Sequence, residues 1–239
     1  MKAIITQLRI QFTQDMRDKG TFLVYYLVPV VFYLVMGSIM KAISLDSQIP
    51  LILALSIFAL TMSAFLGMPQ NLVKAREHGI FEAYRAAGIP SWSLPLTTII
   101  ISTLHILIVA AILLITAPFL FGAELPNSIP YHFLTILLVA LCSEGLGALA
   151  SCLVKKQNTM TLLAQCLFLP SIMFSGIMFP AELLPKPMKW VGDVLPATQG
   201  IRLFDGDKIS AVPLALLIGI SVVTFTVSGM LFRRIGARK

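Results

Sequence analysis

Apolar residues in this chain come in long unbroken runs rather than in alternation. Lys19 and Lys41 bracket 21 uncharged residues, Asp46 and Lys74 bracket 27, and Arg85 and Glu124 bracket 38. Tyr131–Val154 is interrupted only by Glu144, and neither Gln157–Ala181 nor Ile209–Phe232 carries a charge. A helix needs about 20 apolar residues to cross a hydrocarbon core of about 30 Å. Lipid offers no water to backbone N–H and C=O groups, so a spanning segment must be a helix or a strand of a closed barrel. Barrel strands alternate and cross in about 10 residues, which these runs do not. The pattern predicts an all-α integral membrane protein with six transmembrane helices, at 22–40, 49–71, 94–120, 131–153, 158–179 and 209–232.

Ahead of the first span, Ile4, Leu8, Phe12 and Met16 repeat at i, i+4, with Lys2, Arg9, Arg17 and Lys19 mostly off that stripe. Residues 1–20 are expected to form an amphipathic helix lying in the membrane interface. The early charges interrupt any signal-peptide core, so the first span is expected to stay uncleaved. In the fourth span Ser143, Gly147 and Ser151 repeat every four residues, a small-residue face suited to close helix packing. No internal repeat of the inverted kind found in many secondary transporters is visible.

Charge adds orientation. Of the 18 Lys and Arg, four fall in residues 1–21, three in 74–93, two at 155–156 and four in 233–239. The other side holds Lys41, Lys186, Lys189, Arg202 and Lys208. The Lys/Arg-rich side is the cytoplasmic one, so both termini are expected inside and the chain is expected in the plasma membrane. A net charge of +7 spread in this way reads as membrane topology and not as a nucleic-acid surface. At 57% hydrophobic and 12% charged residues, the chain has no room for a separate soluble domain, so residues 1–239 are one transmembrane domain. Cys142, Cys152 and Cys166 match no zinc spacing and read as small hydrophobes.

Two stretches exceed what spanning requires. Residues 74–90 combine charge (Arg76, Glu77, Glu82, Arg85) with Ile80, Phe81 and Tyr84, and end at Gly88 and Pro90. The pattern predicts a short amphipathic helix whose aromatics suit a partner's groove. Residues 180–207 are cut by Pro180, Pro185, Pro187 and Pro196 into short apolar pieces carrying Trp190. Such pieces dip into a leaflet where protein buries them, with Trp190 at headgroup depth.

Catalytic signatures are missing. There is no G-x-x-x-x-G-K-[ST], H-E-x-x-H or G-x-S-x-G, and His78, His105 and His132 are too scattered for a metal site. No catalytic residue, metal or cofactor is expected on this chain. Glu144 is the one acid inside a span, about 15 Å from the cytoplasmic end of its helix at about 1.5 Å per residue. An ionisable group there is costly, which leaves two readings: a functional acid, or a protonated carboxyl hydrogen-bonded to a neighbouring helix. The first is what a proton-coupled secondary transporter would need.

The arrangement resembles the ABC-2 type transporter permease family. The resemblance lies in the interfacial helix, the six spans, Arg76-Glu77-x-Gly79 after the second span, and a second motif after the fifth. That motif runs Ser175, Gly176, Phe179, Pro180, then Leu184 and Pro185, then Pro196 and Thr198. The resemblance implies a permease subunit of an ATP-driven exporter, with ATP and Mg held by a separate ATPase chain. It implies that Arg76, Glu77, Gly79, Phe81, Tyr84 and Arg85 form the coupling helix that docks on that ATPase. It implies that Ser175, Gly176, Phe179, Pro180, Pro185, Trp190 and Pro196 belong to a re-entrant extracellular gate. Two such permeases, identical or related, would enclose the path for an amphiphilic drug, lipid or lipopeptide.

The topology has a direct test. In a background lacking the three native cysteines, a cysteine at Glu82 should react with an impermeant thiol reagent in inverted vesicles only. Reaction from the outside would overturn the six-span arrangement.

Overall fold

The computed structural model describes residues 2–43, 50–178, 183–204 and 210–237. Among them only helices and their connections occur. α1 covers Lys2–Arg17. The first span follows as α2 (Lys19–Phe22), a π-helical turn (Leu23–Leu27) and α3 (Val28–Ile43). The second is α4 (Leu51–Met62), another π-helical turn (Ser63–Gly67) and α5 (Met68–Glu77). α6 (Ile80–Ala86) leads to the long α7 (Ser93–Phe121) and α8 (Ile129–Leu153). α9 (Gln157–Met173), α10 (Lys186–Gly192), α11 (Pro196–Phe204) and α12 (Ala211–Ala237) complete the chain.

Among the described residues, five helical segments are long and apolar enough to cross a membrane: Lys19–Ile39, Leu51–Glu77, Ser93–Phe121, Ile129–Leu153 and Ala211–Ile235. The expected fifth span of six, 158–179, is a helix of 17 residues that gives way to turns from Phe174. At about 1.5 Å per residue that is about 25 Å, short of a full core. Its run of uncharged residues was therefore longer than its helix. Pro170 lies inside the last turn, and Gly176 at φ +93° belongs to the chain reversal that follows.

Both π-helical turns have the same cause. Each ends two residues before a proline, Pro29 or Pro69. A proline ring collides with the carbonyl four residues earlier, here that of Tyr25 or Phe65, and removes one backbone hydrogen bond. A widened turn absorbs the collision without ending the helix. The two turns pack on each other. A Cβ on Gly67 would lie 2.7 Å from the Tyr25 ring, so the absence of a side chain at Gly67 is what admits Tyr25, which is buried.

The second span is the centre of the molecule. Of its most apolar stretch 89% is buried, against 22% for the first span and 17% for the last. α4 and α5 touch α3, α7, α8, α9 and α11, while α8 and α12 form the most extensive single pair. Phe32 stacks on Phe58 with ring centroids 3.4 Å apart. The small-residue face of α8 packs as its spacing predicted. Ser143 and Ser151 are fully buried, and a Cβ on Gly147 would lie 2.8 Å from the Ala64 carbonyl oxygen and from Pro69. Exposed apolar residues collect on the first and last spans, at Val31, Val35, Val212, Val222 and Val223 among others. Lipid tails are as apolar as these side chains, so the exposure carries no penalty in a bilayer. Of the three cysteines, Cys142 is buried as expected, Cys152 is half-buried, and Cys166 lies on the exposed face of α9.

Because the obstacle at Gly147 is backbone, it cannot swing aside. Gly147→Val should destabilise the folded protein by about 1–3 kcal/mol, the usual range for overpacking. Gly219→Ala, where nothing lies within 4 Å, should leave stability unchanged or raised. Thermal unfolding of the purified chain in detergent reads both.

Candidate functional site

The stretch after the second span is two elements, where the sequence suggested one helix. Lys74–Glu77 continue the second span, His78 caps it, and Gly79 turns the chain at φ +69°. L side chains rarely adopt that region, which gives the glycine of Arg76-Glu77-x-Gly79 its physical reason. α6 then runs for seven residues and ends before Gly88, also at φ +69°.

Side chains divide sharply around this turn. Arg76 is half-buried and its guanidinium donates to the Ser151 carbonyl, tying the end of α5 to the end of α8. Phe81, expected to reach into a partner's groove, points into its own chain instead. It is 4% exposed, stacks on Phe232 at 6.1 Å, and packs with Met68, Leu72 and Leu94. Tyr84 is half-buried, its hydroxyl accepting from Gln7 Nε2 at 3.1 Å. Glu77, His78, Ile80, Glu82, Ala83 and Arg85 remain exposed. The aromatics fasten α6 to the transmembrane bundle, and the charges with Ile80 and Ala83 form the outer surface.

α1 is fastened to the same assembly by polar contacts that the apolar stripe did not announce. Gln7 Nε2 also donates to Thr97 Oγ1 at 3.0 Å, and Gln11 Nε2 donates to Thr98 Oγ1 at 2.8 Å. Phe12 stacks on the buried His105 at 4.9 Å, and Asp15 Oδ2 lies 3.7 Å from His105 Nε2. Met16 of the stripe is exposed. The available signal was Gln7, Gln11 and Gln14 at i, i+4 and i+7, a second stripe beside the apolar one. At the end of α1, Asp18 caps α2 and accepts from Lys74 Nζ at 2.7 Å. That hydrogen bond, aided by the Gly20 N–H and the lysine's charge, holds the Asp18 carboxyl below its usual value. A carboxyl so depressed keeps its contact at neutral pH and loses it only as pH falls through the lowered value.

A cavity of about 950 Å³ opens between α1, the α5–α6 turn and the start of α7, at the Lys/Arg-rich end of the bundle. At the opposite end, Ser175 Oγ donates to the Ile172 carbonyl at 2.8 Å and helps form the reversal at Gly176. Phe179 and Pro180 of the motif lie outside the described residues. Pro185 precedes α10, where Trp190 is 71% exposed, and Pro196 opens α11. α11 inserts among α4, α8, α9 and α12. Ala197 and Gln199 are buried, and a Cβ on Gly200 would lie 2.5 Å from Val139. Asp193 ties the two short helices together, accepting from Arg202 and, through its carbonyl, from Gln199. Gly200 and Asp193 carry no sequence pattern that would have singled them out.

Glu144 belongs to neither end. It is fully buried between α8 and α7, with Oε2 2.7 Å from Thr103 Oγ1 and Oε1 without a hydrogen-bond partner. It does not line the cavity. Among the described residues no cluster of His, Cys, Asp and Glu could hold a metal ion.

Compared with known proteins, residues 2–206 match the family model described as ABC-2 type transporter. No curated protein matches the chain.

The inward setting of Phe81 has a measurable consequence. Phe81→Ala should destabilise the isolated chain by about 3–5 kcal/mol, the range for removing a buried aromatic. Ala83→Arg on the outer face of α6 should leave the unfolding midpoint unchanged.

Proposed function

The chain belongs to the ABC-2 type transporter family, and we propose that it is the permease subunit of an ATP-driven exporter whose ATPase is a separate polypeptide. The observation that carries this is the outward face of α6. A seven-residue helix between the second and third spans is held by Phe81 and Tyr84 while Glu77, His78, Ile80, Glu82, Ala83 and Arg85 stay exposed. A partner docking there would bury Ile80 and Ala83 centrally with the charges at the rim, where they set orientation more than affinity.

Movement of the partner would pass directly into the bundle. Phe81 is packed on Phe232 of the last span, Arg76 is bonded to the end of α8, and Tyr84 is bonded to α1. A displaced α6 therefore carries the second span, the last span and the interfacial helix with it. In this reading α9 and the turns after it serve as the fifth of six spans, and α10 and α11 are the re-entrant pieces of an outer gate. Both termini lie in the cytoplasm and the membrane is the plasma membrane. Two copies, or this chain and a related one, enclose the path. The cargo is amphiphilic, as a drug, lipid or lipopeptide is, and moves outward.

A proton-coupled carrier built on Glu144 is the reading this displaces. One fully buried acid, facing Thr103 and away from the cavity, gives a proton no evident way in or out.

The test is purification of the chain with its co-encoded proteins, followed by ATP hydrolysis and transport assays. An ATPase should co-purify, and Ala83→Arg should weaken its association at least tenfold while the permease stays folded. If no ATPase co-purifies and transport collapses only with the proton gradient, the exporter reading is wrong. Glu144→Gln adds a second arm: transport unchanged in that variant would assign Glu144 to packing alone.

A further inference from the structure

The cavity between α1, the α5–α6 turn and α7 is large and mostly apolar, yet it is not electrically neutral. Ile10, Ile80, Ile89 and Leu94 line it, with Tyr84 and Trp92 as its aromatic members. Its charged lining residues are Asp15, Asp18 and Lys74, with His78 beside them. Asp18 and Lys74 answer each other at 2.7 Å. Asp15 has no such match. Among the described residues no Lys or Arg lies within ion-pair distance of it, and its neighbour is the His105 imidazole at 3.7 Å. That separation is too long for a hydrogen bond, and His105 Nε2 has no other partner. His105 Nδ1 is taken by the Tyr26 hydroxyl at 2.6 Å. The side chain of Asp15 is 14% exposed, so its charge is poorly screened by solvent.

A partly buried carboxylate in an apolar cavity with aromatic walls is chemistry suited to one kind of guest. We infer that this cavity binds an amphiphilic organic cation, with Asp15 as its counter-charge and Tyr84 and Trp92 as its aromatic walls. About 950 Å³ accommodates a drug-sized molecule. Aromatic faces attract a desolvated cation, and a cation would balance a lining that holds Asp15 and Asp18 against Lys74. An anionic headgroup would meet Asp15 with repulsion. Tyr84 belongs to α6 and is bonded to Gln7 of α1, so a guest would touch the element on which the ATPase is proposed to dock. The inference deepens the exporter reading by naming a class of cargo, and it rests on that reading only for the guest's onward movement.

Equilibrium binding of radiolabelled tetraphenylphosphonium to the full-length chain in lipid nanodiscs tests it without ATP or a partner. Saturable binding is expected, accompanied by a change in Trp92 emission in a Trp190→Phe background. Asp15→Asn should weaken binding at least tenfold, Asp15→Glu should stay within threefold of wild type, and Ile10→Trp should exclude the guest by filling its space. Asp15→Asn binding within twofold of wild type would overturn the proposal, as would absence of saturable binding. If added ATPase subunit abolished binding, the cavity would belong to the subunit interface and the proposal would fail. None of these failures touches co-purification of the ATPase, so the two readings fall separately.

Discussion

Close backbone approach around the second span is the contact on which the remaining structure depends. Lipid-embedded helices gain little from burying apolar surface against one another, because the tails they leave are equally apolar. What holds them is dispersion at short range, and that requires small residues where helices cross. Gly147 against the Ala64 carbonyl and Gly67 against the Tyr25 ring are such crossings. With the second span enclosed on all sides, α7, α8 and α9 have fixed positions around it. α11 can then enter among α4, α8, α9 and α12, filling the outer half with Gly200 against Val139.

The same economy of space organises the Lys/Arg-rich end. Proline at positions 29 and 69 would break an ordinary helix, yet each span continues through a π-helical turn, and the two turns nest together. Below them, α5 delivers Arg76 to the end of α8, and Gly79 reverses the chain so that Phe81 falls back onto Phe232. α6 is thus pinned by its own aromatic anchor and presents only its outer face. Under the proposed coupling role this attachment would help, since a loosely attached helix would yield before the bundle moved. α1 closes the arrangement by joining α6 to α7, through the hydrogen bonds of Gln7 and Gln11 and the stacking of Phe12 on His105.

Electrostatics in the bundle follow from how few charges it contains. Glu144 is enclosed between two helices with a threonine hydroxyl as its close neighbour and does not line the cavity. Asp15, by contrast, borders open space. The two acids differ in access: one is sealed in the bundle and the other faces a cavity.

How much of this was legible in the chain varies with the range of the interaction concerned. Helical character, the positions of four spans to within three residues, the start of the second span, the small-residue face of α8, the terminating role of Gly88 and the family were all carried by local pattern. Each rests on the local requirement that lipid imposes on a backbone or on the steric demands of one residue type. What the pattern could not carry was direction. Phe81 and Tyr84 read as anchors for a partner's groove and instead fasten α6 to its own chain, because amphipathicity gives a helix two faces and does not say which neighbour takes which. The fifth run overstated its helix, because absence of charge measures compatibility with lipid and not helix length. The cavity, the Asp15–His105 approach and the insertion of α11 join residues 70 or more positions apart, or stem from the packing of several helices at once. Sequence alone determined that these helices exist and that they cross a membrane, since each satisfies its own backbone. Only the tertiary structure decided which side chains meet, because that depends on where small residues let separate helices touch.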